Sequence, residues 1–314
     1  MLLSCGDALI DFLPVRTVDG QEALLPMVGG SCLNIAIGMA RLGIPTGFVG
    51  GLSTDPFGCM IEDHVRESGV DLRLAARSAR PTTLAFVRTV NGEARYAFYD
   101  EQTASRHWIY RHGSIRFAEI DAVHVGSTTL IDRSGAAQAL ELVEEARHTS
   151  TISFDPNCRP NLVQDKADYV ARMDLFARRS HIVRMSDGDF AFLYGNSDFG
   201  AKAAALSSIG LPLFIITRGA GGVLAWHKRA GLVSVKAPST KVVDTIGAGD
   251  SFQAALLVAL HAMKLIARPS LEAMDASQLG RVLEFAVTCA AVTCSRAGAN
   301  PPWSFELPKE ASLV

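Results

Sequence analysis

Apolar and polar positions along this chain follow two rhythms that trade places. Short, nearly continuous apolar runs recur at residues 2–10, 45–52, 122–125, 151–154, 181–185 and Leu213–Thr217. Runs of this length and continuity, rich in Ile, Val and Phe, read as strands covered on both faces. Between them stand helical stretches: one whose apolar residues return at Leu33, Ile37 and Ala40, others over 59–68 and 135–147, a run of good helix formers over 254–263, and a long small-residue helix over 280–296. Strand and helix in regular alternation predict an α/β domain with a mostly parallel sheet between helices, a three-layer sandwich. Two regions break the rhythm. Residues 12–28 and 82–100 each read as a pair of strands, turned at Asp19-Gly20 and at Asn91-Gly92. They predict a small β-sheet flap within one domain spanning 1–314.

Composition narrows the picture without redirecting it. Of 314 residues, 48% are hydrophobic and 20% charged, which supports a sizeable core and argues against disorder. The net charge of −2 and the lack of a long basic run speak against nucleic acid as partner. No apolar run approaches the ~18 residues of a membrane span, and the first residues lack a basic leader, so a cytoplasmic protein is expected. The six cysteines are scattered, with no metal-like spacing, and read as reduced thiols.

The chemistry concentrates at Val243-Asp244-Thr245-Ile246-Gly247-Ala248-Gly249-Asp250, directly before a helical run. Glycines on either side of Ala248 allow a sharp turn and close approach of backbone to ligand. The helix start offers free N–H groups to an anion. One carboxylate, Asp250, stands among them. Amide donors beside a single carboxylate suit a hydroxyl losing its proton while a phosphoryl group gains charge. The alternative is a tight loop with Asp250 as a helix cap. Elsewhere, Asp11 ends an apolar run, Gly29-Gly30 precedes a helix carrying Asn34, and prolines flank Arg159 in Asp155-Pro156-Asn157-Cys158-Arg159-Pro160. Ser186-Asp187-Gly188-Asp189 could orient Mg²⁺ through water or simply start a helix. The turn Arg218-Gly219-Ala220-Gly221-Gly222 could face a nucleotide or only close a hairpin, and Gly298 reads as a helix C-cap. A dinucleotide fingerprint is missing from 27–34, and no Gly-Lys-Ser/Thr follows the glycines, which disfavours a nicotinamide dehydrogenase and a Walker-type ATPase.

Taken in order, these stretches resemble the ribokinase-like (PfkB) carbohydrate kinases. Asp244 to Asp250 match that family's second signature in full, and Gly6-Asp7-Ala8-Leu9-Ile10-Asp11-Phe12 resembles the opening of its fructokinase-like members. Gly29-Gly30 with Asn34, Asp155-Pro156-Asn157 with Arg159, Thr217 with Gly219 and Gly222, and Arg296-Ala297-Gly298-Ala299-Asn300 resemble further family segments. The resemblance implies a ribokinase-like fold with a β-sheet lid and ATP-dependent phosphorylation of a sugar hydroxyl, fructose first. 2-Keto-3-deoxygluconate, ribose and nucleosides stand behind it, as does a non-catalytic sugar-binding protein on the same scaffold. Asp250 would be the base, with Gly247, Ala248 and Gly249 forming the anion hole. Asp11, Gly30, Asn34, Arg159 and the lid residue Phe98 would hold the sugar. Thr217, Gly219 and Gly222 would line the ATP side. Asp189 would meet Mg²⁺ through water, and Asp244, Ile246 and Gly298 would hold a monovalent cation, K⁺. Asp189 departs from the family pattern, where a longer Glu stands. The exposed edge of such a lid offers a route to a homodimer. The Arg- and His-rich segment 101–116 is not aligned with any of these family segments.

Overall fold

The computed structural model describes residues 1–90 and 93–308, with the backbone alone described for 88–90 and 93–96. Along the chain, strand β1 (Leu2–Cys5) leads through a sharp bend into β2 (Leu9–Arg16) and β3 (Glu22–Gly29), and then helix α1 (Ser31–Arg41). Strands β4 (Thr46–Val49) and β5 (Gly51–Ser53) precede α2 (Pro56–Glu67), followed by β6 (Ala76–Ser78), β7 (Thr83–Val90) and β8 (Glu93–Tyr99). The alternation then becomes regular: β9 (Ala122–Gly126), α3 (Arg133–Ala146), β10 (Thr151–Asp155), α4 (Lys166–Arg179), β11 (Ile182–Ser186), α5 (Asp187–Tyr194), α6 (Phe199–Ser208) and β12 (Leu213–Thr217). The hairpin β13 (Val223–His227) and β14 (Gly231–Val235) follows, and α7 (Ala248–Ala262), α8 (Arg268–Ala273) and α9 (Ala276–Cys294) end the fold.

Eight strands form the main sheet in the order β14-β13-β12-β11-β10-β9-β1-β4. The six from β4 to β12 run parallel, and β13 and β14 run antiparallel at one edge. Both faces are covered. Leu3, Val123, Ile152 and Phe214 join one apolar layer with α3, α4 and α6. Leu2, Ile182, Leu213 and Ile215 join the other with α7 and α9. Every residue of α7 from Ser251 to Leu260 is buried, which explains why that stretch is apolar on all sides and not striped. The lid is a separate four-stranded sheet, β3-β2-β7-β8, as expected from 12–28 and 82–100. The Asn91-Gly92 turn expected to join β7 and β8 lies outside the described residues.

Several boundaries differ from expectation. The run 2–10 is two strands in two sheets, because Gly6, at φ +154°, turns the chain out of the main sheet before Leu9. Asp11 therefore sits on lid strand β2, not at the end of a central strand. The run 45–52 likewise splits at Gly50. Helix α7 begins at Ala248, within the glycine turn, so Asp250 stands in its first turn and the run of helix formers from 254 lies in its interior. Gly298 is not a C-cap: α9 ends at Cys294 with Ser295 as the capping residue, and Gly298 turns the chain further on.

Candidate active site

The parallel strands of the main sheet end together at one rim, where α/β sheets gather ligands. Two cavities meet there. One, of about 640 Å³, is polar and lies between the rim and the lid. The five residues expected to hold a substrate all line it: Asp11 from β2, Gly30 before α1, Asn34 within α1, Phe98 from β8 and Arg159 after β10. The other, of about 600 Å³, contains Thr217, Gly219 and Gly222 and a mostly apolar wall that includes Val287, Ala290 and Cys294. Thr245, Gly249 and Arg184 line both cavities and so form the partition between them.

Gly247 sets up this partition. It is the residue before α7, in the left-handed region at φ +74°, and a Cβ there would lie 2.7 Å from Ala299. Only glycine fits both the conformation and the space. The turn brings the first-turn N–H groups of α7 to the partition, with the positive end of the helix dipole behind them. Asp250 lies in that first turn but does not cap the helix. Its Oδ1 accepts from Ser31 Oγ at 2.6 Å and its Oδ2 from Asn34 Nδ2 at 2.9 Å. Burial holds its carboxyl above the usual carboxylate range, Asp7 and Asp155 push the same way, and the two donors oppose them. Solvent still reaches it, since it faces the polar cavity.

Asp11 faces the same cavity. Burial, with Asp7 and Asp250 nearby, raises its carboxyl to about 6, against the opposing charge of Arg159. Arg159 is braced by its own loop, donating to the Asn157 side chain at 2.8 Å and to the Cys158 carbonyl at 3.0 Å. Asn34, expected to contact substrate, also holds Asp250.

Asp244, Ile246 and Gly298 come together, 54 residues apart in sequence at the extremes. Asp244 accepts from the Ile246 N–H at 3.0 Å and from the Gly298 N–H at 2.9 Å. Asp189 forms a capping box at the start of α5, accepting from Ser186 N and Oγ at 3.1 and 2.7 Å, and it also accepts from Cys158 N at 2.9 Å. The Cys158 side chain hydrogen-bonds the same carboxylate, so its roughly four acceptor positions are taken up by the fold, and Asp189 lines neither cavity. The turn Gly219–Gly222 both closes the β12–β13 hairpin and lines the apolar cavity.

Three residues at the site were not anticipated. Arg184, 6% exposed on β11, donates to Asp155 Oδ2 at 2.6 Å and to Thr217 Oγ1 at 2.5 Å. Its Nε finds no partner among the described residues. It lies so close beneath α7 that a Cβ on Gly249 would sit 2.9 Å from Nη1. An arginine inside an apolar strand is itself a signal, because arginine is almost never buried unpaired. Ser31 is the second residue. Asp7, the third, is fully engaged by Cys32 N, Ser127 Oγ and Thr128 Oγ1 at 2.8–3.0 Å, which fixes the start of α1.

Comparison with known proteins agrees across the chain. The model of the pfkB family carbohydrate kinases matches residues 2–305. A fructokinase of Rhizobium leguminosarum bv. trifolii is 37% identical over 279 residues, covering 89% of this chain and 85% of its own. The fructokinase of Salmonella typhimurium is 30% identical over 94% of this chain and 93% of its own. Among solved structures, Xylella fastidiosa fructokinase with bound ATP superposes with a TM-score of 0.87 at 27% identity, over 98% of this chain and 94% of that one. A Vibrio cholerae fructokinase double mutant, with fructose, ADP and potassium bound, shares the fold with a TM-score of 0.78 at 23% identity, over 95% and 93%.

Proposed function

The chain belongs to the pfkB family of carbohydrate kinases, and from that premise we propose that this ATP-dependent sugar kinase has fructose as its acceptor. The observation that carries the mechanism is the partition: a carboxylate, a helix N-terminus and a buried guanidinium stand where a polar cavity meets an apolar one. Fructokinases among its relatives support the choice of acceptor.

ATP lies in the apolar cavity, its base against Val287 and Ala290 and its phosphates toward the start of α7. The sugar lies in the polar cavity, its hydroxyls held by Asp11, Asn34 and Arg159, with Gly30 close behind and Phe98 against the ring. Asp250 takes the proton of the attacking hydroxyl. The new bond from sugar oxygen to γ-phosphorus forms as the bond to the β,γ-bridging oxygen breaks, and ADP leaves with that electron pair. The amides of Gly247, Ala248 and Gly249 meet the charge on the transferring group, each such donor typically worth ~2.7–4 kcal/mol. Arg184 meets the same charge from the sheet side.

Mg²⁺, when bound with ATP, would neutralise phosphate charge through few protein oxygens and several waters, and Asp189 is the carboxylate we assign to one of those waters. The place where Asp244, Ile246 and Gly298 come together is the one we assign to a monovalent cation, K⁺. A homodimer through the lid edge and a cytoplasmic location complete the proposal. Among the described residues, no helix is long and apolar enough to cross a membrane.

The test is ADP release with Mg-ATP and K⁺ against fructose, 2-keto-3-deoxygluconate, ribose and adenosine. Fructose should give the highest kcat/KM, and Asp250→Asn should lose about 10²–10⁴ of the rate. A better acceptor in that panel overturns the choice of fructose. Full activity in Asp250→Asn removes the base.

A further inference from the structure

A second cleft, of about 620 Å³, shares no lining residue with the catalytic cavities. It lies against the edge of the main sheet near β4 and is walled by part of the Arg- and His-rich segment 101–116, which the catalytic reading leaves unused. Arg73, Arg77, Arg80, His107 and Arg111 line it, and no Asp or Glu does. That is a strong local bias in a chain carrying 30 basic and 32 acidic residues.

The guanidinium groups differ in how they are satisfied. Arg73 pairs with Asp71 at 2.6 Å, and Arg77 with Glu62 at 3.0 Å. Arg80 reaches only neutral oxygens of Gln102, the side-chain one at 2.8 Å. Arg111 makes no side-chain hydrogen bond or ion pair among the described residues. Two cations thus face the cleft without a carboxylate to answer them. The wall behind them is firm: Trp108 and Tyr110 are 5% and 6% exposed, while Ile109 between them points outward at 70%. A concave volume within the few-hundred-Å³ range of small-molecule sites favours a compact ligand over an extended polyanion.

We propose that this cleft is a second anion site, built for a small phosphate-bearing molecule. Guanidinium forks match phosphate oxygens two at a time, and a desolvating aromatic wall strengthens such contacts. The wall segment is also tied to both roots of the lid. Thr103 Oγ1 bonds Thr83 Oγ1, at the start of β7, at 2.8 Å, and Ala104 N donates to the Pro81 carbonyl at 3.0 Å. Ala8, just before β2, donates to Ser105 Oγ at 3.5 Å. Occupancy of the cleft therefore bears on the strands that cover the sugar cavity.

Trp108 supplies a local probe. Its indole N–H resonance, assigned with Trp108→Phe, is followed while the full-length protein is titrated with inorganic pyrophosphate. It should move saturably, while those of Trp226 and Trp303 do not follow the same curve. Arg80→Gln/Arg111→Gln should weaken the midpoint roughly tenfold or more, as loss of charge-assisted contacts implies. Arg111→Glu alone, at an exposed position, should weaken it as well. No movement of Trp108 up to roughly 10 mM pyrophosphate, well above a millimolar dissociation constant, overturns the proposal. An unchanged midpoint in the double variant does so too.

Discussion

Replacing Arg184 with methionine separates two jobs that this residue performs at once. Its ion pair with Asp155 is deeply buried, the side chains being 8% and 3% exposed. Removing the cation leaves Asp155 charged in the interior, a change that typically costs about 3–5 kcal/mol. With an unfolding entropy of about 2.1 cal/mol/K per residue, 314 residues give about 0.66 kcal/mol/K, so Tm should fall by roughly 5–8 °C. Catalysis should fall separately. In the proposed mechanism the lost guanidinium would face the transferring phosphoryl group, and one such donor is worth about 10²–10³ in kcat. The pairing with Asp155 allows the two losses to be told apart. In Arg184→Met/Asp155→Asn the stranded carboxylate is gone, so calorimetry should show most of the thermal loss recovered. Steady-state ADP release should show kcat still depressed. Recovery of kcat together with Tm would make Arg184 a structural residue only. An unchanged kcat in the single variant would do the same.

Ser31→Ala removes one hydrogen bond to the ionised base, a contact worth about 1.5–3 kcal/mol. Because that bond favours the carboxylate, the acid limb of kcat/KM should move to higher pH, measured across a buffer series; an unmoved limb would show that Ser31 does not tune Asp250. Asp11 titrates at about 6, so kcat/KM for the sugar should fall as pH drops through that value, and Asp11→Asn should lose that limb while sugar KM rises. The same raised value makes Asp11 a burden on the fold: its protonated form is favoured in the native state, so its contribution to stability is full below about 3.8 and is lost as pH rises to about 6. Asp11→Asn should therefore flatten the dependence of Tm on pH across that window.

Much of this was legible in the chain. Buried parallel strands betray themselves as unbroken apolar runs, and β12 was bounded to the residue. The glycine turn before α7 was legible because free N–H groups, a left-handed glycine and one carboxylate are local properties. What was lost had a physical reason. The run 2–10 hides its break, because Gly6 changes sheet without changing apolar character. Helix α4, striped by Tyr169, Met173 and Phe176 among many charges, has a low mean hydropathy that masks its buried face. The pairings of Ser31 and Arg184 could not be read because their partners, Asp250 and Asp155, lie 219 and 29 residues away. Pairing across a fold leaves no local trace. Arg184 did leave a hint, as a charge in a strand otherwise buried on both faces.

The pair of donors on Asp250 bears on what the enzyme wastes. Both carboxylate oxygens already receive a protein hydrogen bond, from Ser31 and from Asn34. Water entering beside ATP must compete for the base against these fixed donors, with no other hold on the site. In the proposed mechanism a sugar hydroxyl arrives anchored through its neighbours by Asp11 and Arg159, and those remote contacts would offset the displacement of Ser31. The base is thus reserved for a guest that brings its own binding energy. A low rate of ATP hydrolysis without sugar follows, and it should rise in Ser31→Ala relative to sugar phosphorylation. The small hydroxyl beside the base then acts as a guard against spilling ATP into water.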